Sequence, residues 1–266
     1  MTWVIAKPFV QGYAMVIADT CVTYKDLKSG KTKYKDCLLK IHVISESNGL
    51  MVGFSGVVEN AFAIIDDMRI LASDLSIKSE DRKFDVIDFI LAWKKYTSET
   101  KRHLYEDDEE NGVHLLVIGN HSDNNSTGNK YAPCGAFFTK SPDYRPMAVH
   151  QFSWHAIGSG SDLQICKDIA NSLSNDFRFR ILALDKEPSE HVKDFLPKIS
   201  TALELELQKK GVSNNLVMGI STVGKTDYAY TYKKDGSRPK SIDDLVGTFE
   251  ELEKLLRSKA SAKFRA

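Results

Sequence analysis

The chain lacks an excess of charge of either sign, because 36 Lys and Arg offset 36 Asp and Glu over 266 residues. Neutralising phosphates needs a net basic face, so a nucleic-acid binder acting through bulk charge is excluded. Cysteine is scarce: Cys21, Cys37, Cys134 and Cys166 lie far apart with no C-x-x-C spacing, which suits buried thiols in a reducing compartment and argues against a disulfide frame. Long apolar runs are missing too. None approaches the roughly 18 residues of a membrane span. The apolar first twenty residues are interrupted by Lys7, Pro8, Gln11 and Asp19, follow no basic segment and offer no small-residue cleavage pattern, so they do not read as a secretory signal. The expected setting is cytoplasmic, with neither membrane nor nucleic acid as partner. Seven histidines, at 42, 103, 114, 121, 150, 155 and 191, form no H-x-x-x-H pair or His/Cys cluster, so neither a metal nor another cofactor is expected.

What remains is an ordinary folded composition, 42% hydrophobic and 27% charged, which removes disordered, collagen-like and coiled-coil classes. Two apolar runs, Trp3 to Ala6 and Tyr13 to Ala18, flank a turn at Pro8 to Gly12 and predict a hairpin. A lysine-rich loop is expected from Tyr24 to Lys35. Leu38 to Ser45 and Gly49 to Phe54 predict a second hairpin, joined at Asn48-Gly49. Helical spacing follows in Val57, Ala61, Ile64, Ile65, Met68 and Leu71, and again from Phe84 to Tyr96, with a charged linker near Ser79 to Lys83. Strands are expected at Val113 to Gly119, Pro133 to Thr139 and Ala148 to Ile157, with a Ser/Asn/Gly-rich loop from His121 to Lys130. Helices are expected at Leu163 to Leu173 and Val192 to Leu207, the latter ended by Gly211. Strands at Leu216 to Ile220 and Tyr228 to Tyr232 and a terminal helix from Ile242 to Leu256 complete the pattern. The order predicts an α+β fold in which two antiparallel sheets are flanked by helices, as one four-layer domain over 1–266.

Gly219-Ile-Ser-Thr-Val-Gly224-Lys225-Thr226 satisfies the P-loop pattern G-x-x-x-x-G-K-[ST], whose chemistry needs a helix to begin at the lysine. The residues that follow, Asp227 to Tyr232, alternate like a strand, so a hairpin is expected and nucleotide binding is not. The acidic run Glu106 to Glu110 reads as a solvated loop. Sequons at Asn124 and Asn125 carry no weight without a secretion signal.

Thr2 would become the first residue if Met1 were removed, which places a hydroxyl and a free α-amine on one residue. An α-amine titrates near about 8, so an appreciable fraction is neutral at physiological pH and takes up the hydroxyl proton. A lysine nearby would lower that amine's pKa by like-charge repulsion, and an aspartate would orient the lysine. Asp19, closing the second strand, and Lys40, opening the next, are candidates for those parts.

Four segments together resemble the proteasome β-subunits and bacterial HslV-type peptidases of the N-terminal-nucleophile (Ntn) hydrolases, in that family's order. They are Thr2 opening an apolar strand; Ile17-Ala18-Asp19-Thr20-Cys21-Val22-Thr23, similar to A-A-D-x-x-x-T; Lys40 to Ile44 leading to Val52-Gly53-Phe54-Ser55-Gly56; and Ala156-Ile157-Gly158-Ser159-Gly160-Ser161, similar to the family's A-I-G-S-G. The resemblance implies a four-layer αββα sandwich, with Thr2 as nucleophile, Asp19 and Lys40 as its charged partners, and Ser159 beside its amine. It implies Gly56 as backbone donor to the oxyanion, Thr23 as the residue pairing with substrate backbone, and Val22, Leu38, His42, Phe54 and Val58 as lining of a specificity pocket for an apolar residue that is not large. Ser213 matches a family serine, whereas Lys210 stands where many members carry Asp, Asn214-Asn215 replace glycines and Trp3 replaces a small residue. The implied function is a threonine peptidase acting on peptide or unfolded-protein substrates within a homo-oligomeric ring, without a cofactor; an ATPase partner is not legible. Two alternatives stay open on the same fold: an inactive ring or scaffold subunit, and a small-molecule amidase or acyl-transferase.

Overall fold

The computed structural model describes residues 2–9, 13–78, 84–99, 112–120, 134–140, 143–149, 154–169, 171–172, 196–197, 199–201, 212–222, 225–231, 241–256 and 260–266. It is an α+β protein built on antiparallel sheets. The first hairpin forms, with Pro8 and Phe9 in the strand and not in the turn where they were expected: β1 (Val4–Phe9) and β2 (Tyr13–Asp19) pair in the register Val4↔Ala18 to Phe9↔Tyr13. Each strand alternates. Val4, Ala6, Ala14, Val16 and Ala18 turn to one face, and Ile5, Met15 and Ile17 to the other.

The lysine-rich segment is not a loop. It forms a second hairpin of β3 (Cys21–Asp26) and β4 (Thr32–Asp36), closed by a turn over 27–31 in which Asp26 accepts from Ser29 and pairs with Lys33 at 2.8 Å. Polarity misled the sequence reading here, because β4 is a solvated edge strand with no apolar side to report itself. The next hairpin, β5 (Ile41–Ser45) and β6 (Leu50–Gly56), begins later than expected. β6 continues the sheet through β7 (Val113–Asn120) to β8 (Cys134–Lys140) and the two-residue β9 (Met147–Ala148). The expected single strand Ala148 to Ile157 is divided. Its start belongs to β9, while its end, β10 (His155–Ile157), pairs with β1 in the other sheet, so the chain crosses between sheets within that stretch.

The first sheet is ordered β10-β1-β2-β11-β12, with β11 (Leu216–Thr222) and β12 (Lys225–Tyr230) forming a hairpin. That disposes of the P-loop match, since Thr222 pairs with Lys225 and a strand, not a helix, begins at the lysine. The two large sheets face each other through Val4, Val16 and Ala18 on one side and Ile41, Met51, Leu116 and Ile118 on the other. On its outer face the second sheet carries helix α1 (Val58–Lys78) and helix α2 (Val86–Glu99). The stripe Ala61, Ile64, Ile65 and Met68 explains α1: each of the fully buried Ile and Met side chains contributes about 1.5–3 kcal/mol relative to exposure. Asp85 starts α2 by accepting from the backbone N–H groups of Ile87 and Asp88. On the first sheet's outer face Trp3, Ile5 and Ile17 pack with Cys166, Ile169, Leu196 and Ile199, from helical turns that include 164–169 and 199–201.

The expected terminal helix is shorter and is not terminal. A 3-10 turn over Ile242–Asp244, capped by Ser241, precedes α3 (Phe249–Leu256), and the chain then returns as β13 (Ala260–Arg265), in a three-stranded sheet ordered β13-β3-β4. Met1, Val10, Gln11 and Gly12, the linker Ser79 to Lys83, the run Glu106 to Glu110, the loop His121 to Lys130, Lys210, Gly211, most of Val192 to Leu207 and the histidines at 103, 121, 150 and 191 lie outside the described residues. Among the described residues no helix is long and apolar enough to cross a membrane.

Candidate active site

Register brings the candidate residues together. Because Val4 pairs with Ala18, the next step along the β1–β2 ladder sets Trp3 beside Asp19, and the Asp19 N–H donates to the Trp3 carbonyl at 3.1 Å. Thr2 therefore lies where the Asp19 side chain can help organise it. On the other edge of β1, Val4 pairs with Ile157, which carries the chain on to Gly158 and Ser159 beside Thr2. Lys40 comes from the opposite sheet. It stands just before β5, its carbonyl accepts from Phe54 N–H at 3.1 Å, and its side chain crosses the interior.

The Lys40 ammonium donates to Asp19 Oδ1 at 2.9 Å and to Thr2 Oγ1 at 3.3 Å, and both members of the ion pair are fully buried. Asp19 is held on every side. Oδ1 also accepts from Trp3 N–H at 2.9 Å, while Oδ2 accepts from Cys21 N–H at 3.1 Å and Ser213 N–H at 3.3 Å. Four donors fill the usual capacity of an ionised carboxylate, which fixes its position and with it that of the lysine. Ser213 thus meets Asp19 through its backbone, and its hydroxyl accepts from Asn215 N–H at 2.9 Å. Asn215 in turn donates to Asp36 at 3.0 Å, so one of the residues standing in place of glycine fastens β4 to this corner.

Ser159 opens a 3-10 turn, Ser159–Asp162, and its hydroxyl accepts from Thr2 N–H at 3.3 Å. The glycines around it are what permit the approach. Gly160 N–H donates to the Thr2 carbonyl at 2.8 Å, and a Cβ at Gly160 would stand 2.9 Å from that oxygen. Gly56, at φ +115°, has no room for a Cβ against Gly112 and Val113, and its N–H points to the Ala266 carbonyl oxygen at 2.6 Å.

Thr2, Thr23, Gly56 and Ser159 line one open cavity of about 570 Å³. Asp19 and Lys40 lie behind its wall. Val22, Leu38, His42, Phe54 and Val58 are all buried and none reaches the cavity surface. His42 packs against Phe54 and Phe62, with its Nε2–H donating to the Leu39 carbonyl at 2.8 Å. The cavity also has walls that the sequence did not announce: His114 on β7, Phe138 and Lys140 on β8, and Arg265 and Ala266 at the end of β13. Phe138 lies edge-on to His114 and tilted against His155, and burial together with Lys140 lowers the His114 pKa.

Burial, with the Arg69 charge, pushes His42 down to about 3 from its ordinary 6.5. The unfolded chain therefore takes up a proton near pH 6.5 that the folded chain refuses until about pH 3, so stability is full above that window and falls as acid is added through it. Replacing His42 with Phe should flatten this acid limb, seen as a smaller drop in denaturant midpoint between about pH 7 and 4.5. A limb as steep as the parent's would assign it to other groups. Burial likewise raises the thiols of Cys21 to about 12, Cys37 to about 11 and Cys166 to about 12, which leaves them protonated and unreactive. Among the described residues no three His, Cys, Asp or Glu side chains gather in a way that would hold a metal ion.

Compared with models of known protein families and with curated proteins, the chain matches none.

Proposed function

We propose that the protein is a threonine peptidase of the Ntn-hydrolase type, a four-layer αββα sandwich folded as one domain, whose nucleophile is Thr2 after removal of Met1. One observation carries the reading: a buried lysine, itself fixed by a four-fold bonded aspartate, places its ammonium 3.3 Å from the Thr2 hydroxyl at the wall of an open cavity. A buried ion pair is expensive to maintain, and here it is aimed at a hydroxyl. With Met1 gone, the freed amine lies beside the Ser159 hydroxyl and takes the Thr2 Oγ proton. Oγ attacks an amide carbonyl, the negative charge that develops on the carbonyl oxygen is met by the Gly56 N–H, and the amine returns its proton to the leaving nitrogen. Water activated by the same amine then hydrolyses the ester. Lys40 holds Oγ and favours the neutral amine by like-charge repulsion.

Intact-mass measurement of the purified protein, before and after a β-lactone or epoxyketone probe, tests this. The expected mass is short of one methionine and gains one probe adduct, and Thr2→Ala gains none. Retained Met1, or equal labelling of Thr2→Ala, would sink the assignment. The homo-oligomeric ring belongs to the same reading. It is supported by Ile70 and Ile77 on α1 and Ile87 and Leu91 on α2, exposed apolar residues that a second copy would cover. Sedimentation of the purified protein as a monomer would remove the ring.

A further inference from the structure

Strand β13 runs between two backbone edges beside the Thr2 cavity, those of β3 and of the end of β6. On one side it runs antiparallel to β3, with Phe264 opposite Tyr24 and Arg265 opposite Thr23. On the other, Arg265 bridges Val57, and Gly56 and Ala266 exchange both of their backbone hydrogen bonds, at 2.6 and 2.8 Å. The segment thus completes a three-stranded arrangement between the β3 edge and the end of β6. Its side chains alternate: Phe264 and Ala266 are buried, while Arg265 is exposed along the cavity. Ala266 and Phe264 belong to the same core cluster as Val22, Leu38, Phe54 and Val58, so the buried side chains of this segment join the core that holds those residues.

Resting on the peptidase reading, we infer that the cleft beside Thr2 takes an extended peptide as an antiparallel strand and that Ala260–Ala266 is its built-in occupant, which must leave before a substrate can be acylated. The Gly56 N–H is a single donor. While it serves the Ala266 oxygen it cannot serve the oxyanion of another chain, so occupancy and catalysis are mutually exclusive. The occupant also states the preference of the cleft. The residue whose carbonyl meets Gly56 is small, the one before it faces solvent and is unrestricted, and the one before that is a large apolar side chain in the place of Phe264, which packs edge-on to Phe249 with ring centres 6.1 Å apart. Backbone pairing on both edges supplies affinity and the alternate buried side chains supply selection.

The test loosens the strand without touching the proposed chemistry. Ala266→Pro removes the N–H that donates to Gly56, and Phe264→Ser removes the packing on Phe249. In a Thr2→Ala background, a fluorescein-labelled synthetic peptide of residues 260–266 should bind the double variant about tenfold or more tighter than the otherwise unaltered chain, because the competent state is no longer a minor fraction. The same peptide with Asp in place of Phe264 should not bind. In the Thr2 background, labelling by a peptidyl epoxyketone should accelerate by the same factor, and added peptide should reverse the gain. Independently of any variant, the amides of Gly56 and Ala266 should exchange with solvent by local opening, ahead of core amides such as Ile17. Equal peptide affinity in both proteins, or exchange at Ala266 only with global unfolding, would overturn the inference and make β13 a permanent strand. Tighter peptide binding with no labelling in any protein would instead sink the peptidase reading and leave the displaceable strand standing.

Discussion

Asp19→Ala is expected to lower the unfolding free energy by about 3–5 kcal/mol and to abolish covalent labelling at Thr2. The carboxylate is fully buried and accepts from the Lys40 ammonium and from the N–H groups of Trp3, Cys21 and Ser213. Alanine leaves a buried ammonium without its counter-charge and strips the carboxylate partner from three buried backbone donors, and truncating one side of a buried pair costs far more than the pair itself is worth. The chemical effect has the same source. Without Asp19 the ammonium is no longer directed at the Thr2 Oγ, so the proposed nucleophile loses its anchor even in molecules that stay folded. Denaturant midpoints and probe labelling below the transition separate the two effects. Asp19→Asn keeps the volume and part of the bonding, and should lie between parent and alanine in stability while remaining unlabelled, because an amide carries no charge to hold the lysine. A parent-like midpoint for Asp19→Ala would mean that solvent reaches the pair.

The meeting of Thr2 and Asp19 follows from ladder register, which follows from alternation, whereas Ser159 was legible only through the resemblance of its segment to A-I-G-S-G. Val4 to Ala6 against Tyr13 to Ala18 is a strong alternating pair, and once Val4 faces Ala18, Asp19 has to stand beside Trp3. Lys40 was legible only as chemistry: nothing in its neighbourhood says that the second sheet will carry it across the interior. What was not legible is the edge strand β4 and the other half of the cavity. Thr32–Asp36 is an edge strand with no buried face of its own, and Ala260–Arg265 is stabilised on both sides by backbone partners distant in sequence, Thr23 and Gly56. The apolar alternation at Phe264 and Ala266 is present in the sequence, but two residues at the end of a helical pattern are too few to announce a strand. His114, Phe138 and Lys140 enter the cavity through the β6–β7–β8 pairing and belong to no motif. The enclosure of a site is set by long-range packing, whereas its reactive groups are set by short patterns.

That distinction gives the second large effect. Gly158→Ala should slow labelling of Thr2 by about a hundredfold while leaving most of the fold intact. Gly158 adopts φ +84° and ψ 164°, a region essentially closed to other residues, so any side chain there carries roughly 1–3 kcal/mol of backbone strain. It also has nowhere to put one. A Cβ would press on the Thr2 carbonyl oxygen and lie 3.0 Å from the Thr2 carbonyl carbon and 3.2 Å from Thr2 Cβ. The least costly relief is a shift of residues 158–160 away from β1, which lengthens the 3.3 Å contact between Ser159 Oγ and the Thr2 nitrogen and the 2.8 Å bond from Gly160 N–H to the Thr2 carbonyl. Gly30→Ala is the matched control. Gly30 also has positive φ, at +64°, but a Cβ there meets nothing within 4 Å, in a turn at the far end of the β3–β4 hairpin. It should cost about 1–2 kcal/mol of left-handed strain and leave labelling unchanged. If both alanine variants label at the parent rate, the glycine at 158 is there for folding alone; if only Gly158→Ala is slow, the close approach of Ser159 to Thr2 governs how the proposed nucleophile is positioned.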